Sequence, residues 1–222
     1  MNTAIIVAAG SGTRFKSEKP KQFIEINGKP LIVHTIERFS EAPSVDAIVL
    51  VVAANQLENA VRLTEDIVKL FKVVAGGNSR AESVKNGLDA VDNAPEIVAV
   101  HDGARPLVSV DEIERTIAAA IKTGAACLVA EVTDTIKSVR GGEIAATLDR
   151  TQLRRALTPQ AFKVEILRAA FENAALGDNV TDECYLVEKL GHPIAIVEGS
   201  SRNIKITREE DLILAETLLE RL

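Results

Sequence analysis

The residues best placed to do chemistry follow the first apolar run of the chain. The run over 4–9 ends at Gly10 and Gly12, and the cations Arg14 and Lys21 come soon after. Glycine lets a backbone approach a ligand closely with its N–H groups free, and Arg and Lys neutralise phosphate charge. The stretch predicts a buried strand that delivers a phosphate-binding loop. An ordinary strand-to-helix turn with solvated cations has the same local pattern.

Two later segments have the same character. Gly77, Asn78 and Ser83 follow the end of one apolar run, and Asp102 and Gly103 follow another. A carboxylate at the end of a buried strand is costly unless it binds something. Asp102 therefore predicts a contact with a divalent metal or a ribose hydroxyl, although a turn or a helix cap explains it equally well. Ligands of open α/β sheets bind beyond the carboxyl ends of the strands, so we expect these segments to converge.

Alternating strands and helices position these loops. Apolar runs predict strands over 45–53, 72–75 and 96–100, and helical spacing predicts helices over 30–39 and 57–71, the latter with Val61 and Val68 buried. Capping boxes are predicted for two further helices, Ser109 with Glu112 and Thr207 with Glu210. The alternation indicates an α/β fold with a doubly wound, mainly parallel sheet.

The pattern changes after residue 130. The segment at about 131–162 mixes β-branched residues, charges and the turn signal Gly141-Gly142, with no covering helix. We expect an antiparallel arm that projects from a single domain spanning 1–222. Because an isolated hairpin is marginally stable in water, the arm of a second subunit is the expected partner, which predicts a homodimer.

Composition excludes several classes of function. The net charge is −6, with no Trp and one Tyr, which argues against a general nucleic-acid or anionic-membrane surface. Cys127 and Cys184 have no C-x-x-C spacing and the histidines are scattered, so free buried thiols are expected rather than a disulfide or zinc site. No segment approaches the roughly 18 apolar residues of a membrane helix, and we expect a cytoplasmic protein.

Familiar nucleotide motifs and a hydrolase motif are absent. No Walker A loop occurs, and Phe15 stands where the dinucleotide fingerprint G-x-G-x-x-G needs its third glycine. The nucleophile elbow G-x-S-x-G is missing too. What remains is a nucleotide held by glycine-rich loops, with Arg and Lys on its phosphates.

The ordered motifs AAGSGTRF, PKQF, GGNSRAESVKNGL, HDGARP, LTPQAF, TDE and NIKIT cover nearly the whole chain. Together they resemble the 2-C-methyl-D-erythritol 4-phosphate cytidylyltransferase family. The resemblance implies a Rossmann-like nucleotidyltransferase fold, CTP and methylerythritol phosphate as substrates, Mg²⁺ as cofactor and a homodimer clasped by the arms. A cytidylyltransferase for ribitol 5-phosphate is the close alternative, although such relatives tend to have AGG where this chain has AAG. A catalytically silent nucleotide-binding protein is the alternative of a different class.

The resemblance also implies roles for individual residues. Arg14 and Lys21 match the pair that stabilises charge on the triphosphate, and Arg150 and Lys205 match the pair that holds the acceptor phosphate. The implied CTP contacts are Ala8, Ala9, Gly10, Gly12, Gly77, Asn78 (often Asp in the family), Ser83, Asp102 and Gly103. Further substrate contacts are implied at Arg105, Thr135 and Thr158, and Asp102 is the candidate metal ligand. Thr135 and Arg150 would serve the site of the partner subunit.

Overall fold

A seven-stranded sheet with helices on both faces forms the body of the protein. The computed structural model describes residues 1–10, 15, 20–91, 95–174 and 180–220. The strands are β1 (Asn2–Ala8), β2 (Glu25–Ile26), β3 (Lys29–Pro30), β4 (Ala47–Val52), β5 (Leu70–Ala75), β6 (Ile97–Asp102), β7 (Ala125–Glu131), β8 (Lys137–Arg140), β9 (Glu143–Thr147), β10 (Arg154–Lys163) and β11 (Ala195–Glu198). The α-helices are α1 (Leu31–Glu41), α2 (Leu57–Leu63), α3 (Arg80–Asp89), α4 (Val110–Thr123), α5 (Val164–Glu172), α6 (Glu183–Lys189) and α7 (Glu209–Leu219).

The sheet has the order β11-β7-β10-β6-β1-β4-β5. Strand β1 is parallel to β4 and β6, β4 is parallel to β5, and β11 is parallel to β7, whereas β10 runs antiparallel to both of its neighbours. This confirms the predicted doubly wound, mainly parallel sheet. Because β1, β5 and β6 point the same way, the loops that follow them meet at one edge of the sheet.

Continuous apolar strands explain why both faces of the sheet are covered. In β4 all residues from Ile48 to Val52 are buried, as expected for a strand with helices on both sides. Phe39 of α1 and Ile113 of α4 pack on one face, and Leu88 of α3 and Leu167 of α5 pack on the other.

The predicted helix over 57–71 is wrong in its second half. Helix α2 ends at Leu63, and the hydroxyl of Thr64 donates to the carbonyl of Ala60 at 2.7 Å. The chain then turns and enters β5 at Leu70. Val61 and Val68, predicted to be buried, are 53% and 96% exposed. Val68 lies beyond the end of α2, so helical spacing does not place it, whereas Val61 lies within α2 on the exposed side of the helix.

One of the two predicted capping boxes is correct. The main-chain N–H of Ser109 donates to Glu112 Oε2 at 2.8 Å, and Glu112 N–H donates to Ser109 Oγ at 3.2 Å. For α7 the predicted partner Glu210 is wrong. Asp211 Oδ2 accepts from the main-chain N–H groups of Thr207 at 2.7 Å and of Arg208 at 2.8 Å, because the helix begins at Glu209.

The arm is a separate two-stranded sheet. Strands β8 and β9 pair antiparallel, and both glycines of the turn, Gly141 (φ 60°) and Gly142 (φ 86°), occupy the left-handed region that favours glycine. All residues of β9 are exposed. The predicted range of about 131–162 overlaps the body, because β10 leaves the arm and is buried in the central sheet from Leu157 onward. The arm thus runs from the end of β7 to Leu153, because Arg154 and the residues after it pair with β7 in the central sheet.

Candidate active site

A cleft with a volume of about 490 Å³ opens at the carboxyl edge of β1, β5 and β6. Its described lining is Val7, Ala8, Ala9, Gly10, Lys21, Gln22, Gly77, Asn78, Ser79, Arg80, Ser83, Asp102, Ala104, Lys205 and Thr207. Most of the residues that the sequence motifs pointed to therefore come together here, from five separate parts of the chain.

The loop before α3 forms one wall of the cleft and is held by its own side chains. Ser83 Oγ donates to the carbonyl of Ser79 at 2.8 Å and accepts from Gly77 N–H at 3.1 Å. A Cβ atom on Gly76 would lie 2.3 Å from the Cβ of Ala9, so this loop touches the end of β1 directly. A Cβ on Gly10 would meet no described atom within 4 Å, which leaves the backbone there open to the cleft.

Asp102, at the end of β6, is the carboxylate of the cleft. Its Oδ1 accepts from Arg80 Nε at 3.1 Å, and its Oδ2 lies 3.2 Å from Arg105 Nε and 2.9 Å from Lys205 Nζ. Burial by itself raises the pKa of Asp102, but the charges of Arg80, Lys205 and Arg105 outweigh burial and hold the pKa well below its usual range. Asp102 is therefore an ionised anchor for three cations.

A hydrogen-bonded chain beneath Asp102 fixes its backbone. Asp102 N–H donates to Thr158 Oγ1 at 3.2 Å, and Thr158 Oγ1 lies 3.0 Å from His101 Nδ1. Nε2 of His101 lies 3.1 Å from the carbonyl of Arg105. Burial lowers the pKa of His101 to about 3, so the ring is neutral near pH 7. The pattern assigns its proton to Nε2, leaving Nδ1 to accept from the Thr158 hydroxyl.

Gly103, Arg105 and Thr158 surround Asp102 but are not among the described residues that line the cleft. Gly103 N–H donates to the carbonyl of Val7 at 2.8 Å. Arg105 Nη1 donates to the carbonyl of Asn203 at 2.9 Å. The three residues join the end of β6 to its neighbours, so in this chain they hold Asp102 in place.

Lys21 and Lys205 reach the cleft from opposite ends of the sequence. Lys21 Nζ donates to the carbonyl of Ile206 at 2.9 Å, and Ile206 N–H donates to the carbonyl of Ala104 at 2.8 Å. These bonds place the segment that carries Lys205 beside the loop after β6. The two cations thus face the same cleft as the glycine-rich loops.

The remaining predicted residues lie elsewhere. Thr135 and Arg150 are exposed on the arm, where the Arg150 guanidinium donates to the carbonyl of Thr133, and neither is among the described lining residues. Gly12 and Arg14 lie outside the described residues.

Sequence reasoning missed several residues of the site. Arg80 and Gln22 line the cleft, and Gln22, which is 2% exposed, donates from Nε2 to the carbonyl of Ala8 at 2.7 Å. Both belong to motifs already noted, GGNSRAESVKNGL and PKQF, but a single Arg at a helix start or a single Gln has no distinctive spacing. Glu183, in the TDE motif, is bonded to Arg80, which connects it to the site.

The described residues do not fit a protein-held metal ion. They contain no group of three or more His, Cys, Asp or Glu side chains able to hold one. Asp102 offers a carboxylate, but both of its oxygens already contact cations. Both Asp102 oxygens are thus already used in ion pairs rather than open to a metal ion. Cys127 and Cys184 are free and buried, as predicted.

The sequence matches the family model of 2-C-methyl-D-erythritol 4-phosphate cytidylyltransferase over residues 2–221. The chain belongs to this family. This confirms the family, the enzyme class and the cytidylyltransferase activity that the ordered motifs predicted. None of the helices in the described ranges is long and apolar enough to cross a membrane.

Relatives in the family match along most of their length. The 2-C-methyl-D-erythritol 4-phosphate cytidylyltransferase of Syntrophus aciditrophicus (strain SB) is 43% identical over 98% of this chain and 95% of its own. That of Geobacillus thermodenitrificans (strain NG80-2) is 43% identical over 97% and 96%. The crystal structure of 4-diphosphocytidyl-2C-methyl-D-erythritol synthase from Anaerococcus prevotii DSM 20548 has a TM-score of 0.88 and 30% identity, and covers 99% of this chain and 96% of that one.

Proposed function

We propose that this enzyme transfers CMP from CTP to 2-C-methyl-D-erythritol 4-phosphate and releases pyrophosphate. The observation that carries the proposal is the arrival of Lys21 and Lys205 in one cleft with the glycine-rich loops at the ends of β1 and β5. Such a cleft suits a nucleotide whose base and ribose lie along the loops and whose triphosphate meets the lysines. Ala8, Ala9, Gly10, Gly77, Asn78 and Asp102 are the proposed CTP contacts in the described cleft.

The reaction needs charge neutralisation more than covalent chemistry. An oxygen of the acceptor phosphate forms a bond to the α-phosphorus of CTP while the bond to pyrophosphate breaks, and both reactants are anions. The acceptor oxygen is already ionised, so no strong general base is required. We assign Lys21 to the charge that develops on the triphosphate and Lys205 to the acceptor phosphate, since correct placement of both anions supplies most of the catalysis.

Asp102 fits a positioning role in this scheme. Its Oδ2 lies 2.9 Å from Lys205 Nζ, so the carboxylate aims the ammonium group at one place in the cleft. The Lys205 side chain is 35% exposed, which leaves its ammonium group accessible to an arriving phosphate. Mg²⁺ remains a prediction. We propose that it arrives on CTP, held by phosphate oxygens and water, as Mg²⁺ commonly is.

We further propose that the active enzyme is a homodimer joined through the arms. Val139, Ile144 and Leu148 of the arm are 65%, 68% and 40% exposed, although they are large apolar residues. An isolated hairpin is marginally stable at best in water, and a second arm would cover these side chains. Arg150, on the same arm, would then reach the acceptor site of the partner subunit, and so would Thr135.

The cellular location follows from less direct observations. Two buried free thiols, Cys127 and Cys184, suit a reducing compartment. We propose a cytoplasmic location on that ground.

Pyrophosphate release tests the proposed activity. The purified protein is incubated with CTP, Mg²⁺ and either methylerythritol phosphate or ribitol 5-phosphate, and pyrophosphate is followed with time. We expect release with methylerythritol phosphate. No release with that acceptor would refute the proposal, and faster release with ribitol 5-phosphate would establish the alternative acceptor.

A further inference from the structure

Glu183 is a fully buried carboxylate that the proposed reaction does not use. It is the first residue of α6, has 0% exposure and is not among the described residues that line the cleft. Its Oε1 accepts from Arg80 Nη1 at 2.6 Å and its Oε2 from Arg80 Nη2 at 3.1 Å. This two-point pairing is the geometry in which Arg binds a carboxylate most strongly.

Stability alone does not explain a buried pair of this kind. Removing two charges from water is expensive, and well-packed apolar residues often replace a buried ion pair without loss of stability. The neighbours Cys184, Leu186 and Val187 are buried core residues, so apolar surroundings are at hand. The role of the pair must therefore be sought in what it does to Arg80.

Arg80 connects Glu183 to the cleft. Its side chain is 25% exposed and lines the cleft, and its Nε donates to Asp102 Oδ1 at 3.1 Å. The guanidinium is planar and rigid, so once Glu183 holds the two terminal nitrogens the direction of Nε is fixed as well. Burial disfavours the charged form, but Glu183 and Asp102 outweigh it and raise the pKa of Arg80.

The anchoring of α6 makes Glu183 a rigid support. Asp182 Oδ1 accepts from Tyr185 N–H at 2.9 Å and caps the helix. Gln160 of β10 donates from Nε2 to Asp182 Oδ2 at 2.9 Å and accepts from Cys184 N–H at 3.0 Å. Because Gln160 pairs with Val100 of β6, the start of α6 is tied to the strand that ends in Asp102.

We propose that Glu183 is a positioning residue of the nucleotide site. Acting through Arg80, it sets the orientation of the Asp102 carboxylate and keeps the terminal N–H groups of Arg80 out of the cleft. Without Glu183, the guanidinium of Arg80 is free to rotate so that Nη1 and Nη2 bind Asp102. This would draw Asp102 Oδ2 away from Lys205. The inference rests on the proposed function only for the identity of the ligand, CTP.

The test compares two Glu→Gln changes on the same helix. Glu183→Gln removes the charge at nearly constant shape, and Glu188→Gln makes the same change at an exposed position of α6. CTP affinity is measured by titration calorimetry, and folding by thermal unfolding. We expect Glu183→Gln to weaken CTP binding about 10- to 100-fold, by comparison with the loss of a group that orients a metal-binding side chain. Glu188→Gln should bind CTP as the unmodified enzyme does.

A double-variant cycle separates positioning from a structural role. If Glu183 acts through Asp102, Glu183→Gln should cost less than about twofold in CTP affinity when added to Asp102→Asn, because no carboxylate is left to orient. If the losses of CTP affinity in the two single variants multiply in the double variant, the inference is overturned. So would a Glu183→Gln variant with unchanged CTP affinity, whatever its melting temperature.

Arg80→Lys serves as a second probe should Glu183→Gln fail to fold. It keeps the positive charge beside Glu183 but removes the fork, so CTP binding should weaken to a similar extent. Unchanged affinity in this variant would also overturn the inference. An enzyme that binds CTP in a Glu183-dependent way but releases no pyrophosphate with methylerythritol phosphate would refute the proposed function and leave this inference standing.

Discussion

The cleft and the arm treat their side chains in opposite ways. In the cleft, Asp102 is 6% exposed and is paired with cations of its own chain, while Thr158 and His101 satisfy the groups beneath it. In the arm, every residue of β9 is exposed, and Val139 and Ile144 lie on the surface. The ion pairs of Asp102 form within one chain, whereas the arm presents apolar side chains that the described residues of this chain do not cover.

This difference indicates that the cleft and the arm have different roles in the enzyme. Asp102 is carried on the end of a buried strand, and its ion pairs with Arg80 and Lys205 fix these charges relative to one another. The arm carries Arg150 on a segment that needs a partner for its own stability. Binding of CTP should therefore depend on the cleft of one chain, and use of the acceptor on the assembly.

Lys21→Ala should have the largest effect. If the cleft carries the triphosphate chemistry, removing this cation should lower the rate of pyrophosphate release about 100-fold or more, because charge that develops in the reaction loses a stabilising group. Lys29→Ala is the matched control, since Lys29 pairs with Glu37 at 2.7 Å on the surface and should leave the rate unchanged. Equal losses in both variants would show that the cleft is misassigned.

Ile144→Asp tests whether the arm forms the dimer contact. A charge in the proposed arm contact should weaken dimerisation by about 2 kcal/mol or more, as expected for a central apolar contact. Sedimentation at several protein concentrations measures the association, and calorimetry should find CTP binding nearly unchanged. Val68→Asp, at a position 96% exposed on the body, is the control and should leave association unaltered. A dimer that is indifferent to Ile144→Asp would mean that the subunits meet elsewhere.

Acid should destabilise the cleft through His101. Its pKa falls from 6.5 to about 3 on folding because of burial, so the unfolded chain binds a proton that the folded chain does not. The stabilisation is complete above pH 6.5 and is lost as pH falls from there toward 3. The free energy of unfolding should fall by up to about 1.4 kcal/mol per pH unit from this proton.

Chemical unfolding at several pH values between 6.5 and 4.5 measures this slope. His101→Gln should flatten it, and His192→Gln, at a half-buried position, should not. An unchanged slope in His101→Gln would show that the pKa of His101 is the same in the folded and the unfolded chain.

Mixing two inactive variants should restore part of the activity. This is the smallest change predicted here, and it tests directly whether the site is shared between subunits. Lys21→Ala and Arg150→Ala subunits are combined, allowed to exchange and assayed. If Arg150 serves the partner's cleft, each mixed dimer has one complete site, and about a quarter of the activity of the unmodified enzyme should return. No recovery, with exchange verified by mass, would place Arg150 and Lys21 in the site of a single chain.

Sequence patterns did not predict where two helices begin or end. The apolar residues Val61 and Val68 fit a helix over 57–71, but Thr64 ends the helix and Val68 faces solvent. Near α7 several acids follow Thr207, and only the position of the first helical residue selects Asp211 over Glu210.

The sequence by itself determined the sheet, the loops and the family. Continuous apolar runs predict strands covered on both faces, glycine pairs after them predict ligand loops, and the ordered motifs identify the cytidylyltransferase family. These features are local or lie in a fixed order, so they are readable along one chain. The cleft residues Lys21, Asp102 and Lys205 could be proposed in this way.

Only the tertiary structure decided how the charges are paired. Arg80 meets Glu183 across 103 positions, and Lys21 meets Ile206 across 185, distances over which no periodicity or spacing carries information. Burial changes what each charge can do: Asp102 is an anchor for cations rather than a free metal ligand because three of them reach it. These charges pair because the loops that follow the strands lie close together, and they do so only once the sheet has formed.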